Sequence, residues 1–75
     1  MMTDYSTDEL ANFFGFLDDL RASGVTNMFG ASPYLMREFD LSHDESSTVL
    51  QLWMRTFSHD KTPQERAVTA KEPQA

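Results

Sequence analysis

The chain has 75 residues, no cysteine, and twelve acidic against six basic residues, for a formal net charge of −6. That length allows one domain, which buries only about 60% of its unfolded surface, and without cysteine neither a disulfide framework nor a thiolate zinc site is available. Nine acids and two arginines fall in residues 1–45, three acids and four bases in residues 46–75, so a phosphate backbone is repelled by the first part and weakly attracted by the second.

The first helix starts at a capping box, Ser6-Thr7-Asp8-Glu9, with Tyr5 and Leu10 placed for a hydrophobic staple. Leu10, Phe13, Phe14, Leu17 and Leu20 then recur at spacings of three and four, one apolar helix face, with Asp18, Asp19 and Arg21 on the opposite side. Gly24 suits a left-handed C-terminal cap, which predicts a helix over about 7–22. Phe16 lies about 60° beyond the apolar stripe, so it either wraps onto a second neighbour or is exposed.

Residues 25–33 mix apolar and turn-forming types, and two readings stay open. Either Ser32 caps a short helix with Pro33 at its first position, or helix begins near Thr26 or Asn27 and Pro33 kinks it. The second helix is placed at about 27–40, with Tyr34, Leu35, Met36 and Phe39 as its apolar face. Ser42-His43-Asp44-Glu45 forms a second capping box, followed by Ser46, Val49, Leu50, Trp53 and Phe57 on one face, with Leu52 and Met54 beside it. That predicts a third helix over about 43–57.

Beyond Ser58 the apolar side chains are Ala67, Val68, Ala70 and Ala75, too little to offset the entropy of ordering. Residues 58–75 therefore read as a flexible tail, with a short helix over 63–70 started by Thr62-Pro63-Gln64-Glu65. The expected fold is all-α: a three-helix domain over 1–57, centred on Leu10, Phe13, Leu17, Leu35, Phe39, Val49, Leu50 and Trp53.

The inventory does not point to an enzyme, a metal or a cofactor. Adjacent Asp18 and Asp19 diverge by about 100° on a helix, so they read as a solvated face and not as a catalytic pair. Ser42, Ser46, Ser47 and Ser58 lack a positioned base, and His43 and His59 belong to no metal-ligand spacing. The start of the chain has no cationic and apolar signal pattern, and no apolar run approaches the roughly 20 residues of a membrane span, so a cytoplasmic location is expected.

Two sets of residues point to a macromolecular partner. Phe16, Met28, Phe29, Tyr34 and Met36 exceed what a three-helix core of this size covers, and aromatics and methionines favour interfaces. Asp18, Asp19, Asp44 and Glu45 offer an acidic surface suited to a basic groove on a nucleic-acid-handling protein.

Leu35, Met36 and Phe39, the turn residue Leu41, and Val49 eight residues later resemble the hydrophobic spacing of helix-turn-helix units in tri-helical DNA-binding domains. The resemblance covers residues 33–54 and implies a second helix entering the major groove. Asp40 stands at the family's turn-glycine position, Ser46 at a position normally branched and apolar, and Asp44 and Glu45 where side chains would meet DNA. A second stretch, Gly24-Val25-Thr26-Asn27-Met28-Phe29-Gly30-Ala31-Ser32-Pro33-Tyr34-Leu35 with Trp53-Met54 and Phe57, resembles small uncharacterised proteins of phage and prophage genomes. That resemblance implies binding to, and disabling of, a host factor such as a defence complex. The leading expectation is a non-enzymatic, acidic protein–protein interaction module, an inhibitor or adaptor of phage type. The alternatives are a dimeric helix-turn-helix regulator contacting phosphate through Arg37, Arg55, Lys61 and Arg66, and a structural homo-oligomer, with a homodimer as its simplest form.

Overall fold

Three reciprocal caps set three helix starts. The Glu9 amide donates to Ser6 Oγ (3.1 Å) while Ser6 N–H donates to Glu9 Oε1 (2.9 Å). Ser42 and Glu45 repeat the pair at 2.8 and 3.1 Å, and Thr62 and Glu65 at 2.9 and 3.1 Å. Each box satisfies two amides that a helix leaves without intrahelical partners. The computed structural model describes residues 5–27, 30–58 and 60–71, which form α1 (Thr7–Ser23), α2 (Ser32–Phe39), α3 (His43–Thr56) and α4 (Pro63–Lys71). The described residues are thus all-α, with α4 where a short helix over 63–70 was expected within the tail.

The second helix starts later than residue 27. Gly30 N–H donates to both the backbone oxygen and Oδ1 of Asn27, at 3.1 and 2.9 Å, which ties Gly30 to Asn27 ahead of α2. A Cβ on Gly30 would displace the Thr26 hydroxyl, which lies against it. Pro33 lies in the first turn of α2, but the cap is Ala31 and makes no side-chain hydrogen bond. Ser32, the cap in one of the two readings, is already helical and places its hydroxyl 2.6 Å from that of Ser46. Ser46 is fully buried and donates to the His43 carbonyl at 2.8 Å, so Ser32 supplies the proton of the pair. A polar residue at an apolar position is accommodated because both its hydrogen-bonding roles are filled.

Gly24 ends α1 with φ 72° and donates to the Arg21 carbonyl. Asp40 ends α2 in the same left-handed region, φ 56°, donating to the Met36 carbonyl. Aspartate is one of the few non-glycine residues that tolerate this conformation, which is how Asp40 serves at a turn-glycine position.

Helix α1 packs chiefly on α4, and α2 packs on α3. Leu10, Ala11, Phe13, Phe14, Leu17 and Leu20 of α1 share one core with Ala31 and Leu35, with Val49, Leu50 and Trp53 of α3, and with Ala67 and Ala70 of α4. Phe39 is half-buried and meets Phe13 and Phe16 edge-on at 4.8 and 5.5 Å, so Phe16 wraps onto α2. The segment read as a tail instead returns along α1: Arg66 reaches Asp18 near its end, and Lys71 Nζ donates to the Tyr5 carbonyl at its start. The two helices are therefore antiparallel. The radius of gyration, 11.4 Å, matches the roughly 11 Å of a fully compact chain of this length, consistent with α4 being folded back. Among the described residues no helix is long and apolar enough to cross a membrane.

Candidate functional site

The expected acidic surface divides in two. Asp18 is not on a solvated face: Arg66 Nη1 donates to its Oδ1 at 3.0 Å, Arg66 Nη2 to its Oδ2, and the Trp53 indole N–H to Oδ1 at 2.9 Å. Burial pushes the Asp18 carboxyl up, but the bonds from Arg66 and Trp53 and the charges of Arg66 and Arg21 outweigh it and hold the pKa below its ordinary value. The same pair removes Arg66, 2% exposed, from the cations available to a nucleic acid. Asp19, one residue on, is exposed, so the two aspartates go their separate ways.

Asp44 and Glu45 lie at the other end of the molecule. The Tyr5 hydroxyl is among the groups acting on Glu45, which places the start of α3 beside the start of α1. Fourteen residues of helical rise separate Tyr5 from Asp19, about 20 Å, so Asp19 does not join Asp44 and Glu45. The neighbours of those two are Glu38 and Asp40, both exposed. Four exposed carboxylates therefore frame the α2–α3 turn, with Arg37 the one base within residues 37–45. Glu45 is held ionised by the Ser42 backbone and hydroxyl and by Tyr5. Asp44 is fully exposed, with a loose 3.9 Å contact to His43. Sequence reasoning picked out Asp44 and Glu45 but not Glu38 and Asp40. The tight three-residue link between α2 and α3 was the signal that groups them.

Of the apolar candidates, Phe16 is half-buried on Phe39. Tyr34 and Met36 are half-buried on α2, and the Arg37 guanidinium lies 6.0 Å from the Tyr34 ring. Met28 and Phe29, like His59, lie outside the described residues. Val25, Met54 and Val68 are the exposed large apolar side chains among those described, 59%, 38% and 51% accessible, and they sit on separate elements. No group of three acidic or histidine side chains able to hold a metal gathers among the described residues.

Comparison with protein-family models, with curated proteins and with solved structures finds no match to this chain.

Proposed function

We propose that the chain is a non-enzymatic, acidic protein–protein interaction module, an inhibitor or adaptor whose binding face is the α2–α3 turn. The observation that carries this reading is the frame of exposed carboxylates, Glu38, Asp40, Asp44 and Glu45, around that turn. A helix-turn-helix reader presents the start of its second helix to DNA. Here that start presents two carboxylates, while Arg55, the one base of α3, lies in its last turn. Such a surface suits a basic groove on another protein, where opposite charge speeds encounter and fixes orientation. Tyr34 and Met36, half-buried on the adjoining helix, supply the adaptable apolar contact that charge alone does not.

The phage-type inhibitor fits this face: a small acidic chain occupying a nucleic-acid-binding groove displaces the nucleic acid by charge. Anisotropy of a labelled DNA duplex titrated with the protein tests the choice against the regulator. No saturable binding is expected at physiological salt. Binding that falls steeply with salt and weakens in Arg37→Gln or Arg55→Gln would replace this reading with the groove reader.

A further inference from the structure

Three of the six basic residues of this acidic chain meet at one place. Arg21 from the last turn of α1, Lys61 from the α3–α4 connection and Arg66 from α4 line an open recess of about 260 Å³, with Asp18, Phe57, Ser58 and Pro63. Asp18 is the carboxylate of that lining, and it is engaged by Arg66. Arg21 and Lys61 form no ion pair among the described residues; Arg21 acts on Asp18 and Lys61 on Glu65 at longer range, and the lining itself carries a net charge of +2.

Arg66 keeps one donor unused. Its two terminal nitrogens bind Asp18, while its Nε–H is buried and has no hydrogen-bond partner. A buried donor left unsatisfied is costly and rare in folded proteins. The Arg21 and Arg66 guanidinium groups lie 4.8 and 5.4 Å from the centre of the Phe57 ring. That stacking holds Arg21 beside the recess before any ligand arrives, which lowers the ordering cost of binding.

We propose that this recess binds a phosphate monoester dianion. Two net charges match a dianion, whereas a carboxylate would leave one cation unmatched. The Arg21 guanidinium fork and the Lys61 ammonium are donors of the kind that phosphate oxygens favour. The recess lies at the α1–α4 end of the molecule, away from the α2–α3 turn, so its test and the test of the acidic face fail independently.

The test uses the full chain at about pH 8, where a monoester with a second pKa near about 6 is dianionic. Inorganic phosphate, phenyl phosphate and acetate are titrated separately at fixed ionic strength. Amide shifts of Phe57, Ser58 and Lys61 are followed, with fluorescence of Trp53, the one tryptophan. Saturable shifts with both phosphates and none with acetate are expected. Arg21→Gln and Lys61→Gln, both exposed positions, should each weaken binding about tenfold, while Arg55→Gln should leave it unchanged. Non-saturating shifts, equal shifts with acetate, or wild-type binding by both recess variants would overturn the proposal. Saturation by inorganic phosphate alone would overturn the monoester as ligand.

Discussion

The Asp18 carboxylate receives the Trp53 indole N–H and both terminal nitrogens of Arg66, a side chain only 2% exposed. Asp18 itself keeps 30% of its side chain accessible, so the two halves of the pair differ in what their removal leaves behind. Asp18→Leu strands a buried guanidinium and should cost about 3–5 kcal/mol. Arg66→Met leaves a carboxylate that still reaches water and keeps Trp53, and should cost about 1–3 kcal/mol. The double variant replaces a desolvated pair with apolar packing and should lie within about 2 kcal/mol of wild type. Urea denaturation of the four proteins checks this, and strictly additive losses would show that the pair does not act as a unit. Acid should reproduce part of the effect. The folded pKa of Asp18 is depressed below 3.8, so its stabilisation is complete above the unfolded value and disappears as pH falls through the folded one. Glu45 and Glu65, lowered first by the backbone amides of Ser42 and Thr62, act in the same direction. Stability should decline below about pH 4, and less steeply in the double variant.

At the level of elements, the helix starts were readable because a capping box is a local four-residue chemistry. All three boxes noted in the sequence are formed. The packing of α4 was not readable for a physical reason. Its buried face consists of Arg66, Ala67 and Ala70, and two alanines contribute little to a count of apolar side chains. Their value lies in allowing α4 to approach α1 closely, while Arg66 covers apolar surface with its stem and places its charge on Asp18. The spacing 66, 67, 70 is one narrow helix face, and that was the signal available. Two neighbouring positions test it. Ala67 is fully buried and Val68 is 51% exposed. Ala67→Glu should cost about 3 kcal/mol or more, and Val68→Glu no more than about 0.5 kcal/mol. If thermal melts find both neutral, α4 is not packed as described. The start of α2 has two readings in the sequence because the bonds from Gly30 to Asn27 that precede it leave no trace in apolar periodicity.

For the whole molecule, charge placement carries the functional reading and side-chain class does not. The acids form no single surface. Asp18 is paired inside, Asp8 and Glu9 lie exposed in the first turn of α1 with Asp19 near its other end, and Glu38, Asp40, Asp44 and Glu45 frame one turn. Three bases gather at the opposite end around an open recess. A sequence shows how many charges there are, but which of them remain exposed depends on long-range pairs such as Asp18–Arg66, 48 residues apart. The apolar surplus looked larger in sequence because α4 had not been counted as cover. With α4 in place Leu10, Phe14 and Leu17 are fully buried, and Tyr34 and Met36 remain half-buried candidates. The central claim is that the acidic α2–α3 turn is a protein-binding face. Its most direct test is quantitative affinity capture from cell extract by the wild type and by a Glu38→Lys, Asp44→Lys double variant, after nuclease treatment. Glu45 is left intact because it caps α3. The expected result is a protein captured by the wild type and lost from the charge-reversed variant, whose thermal midpoint is unchanged. The same proteins captured equally by both would contradict the claim.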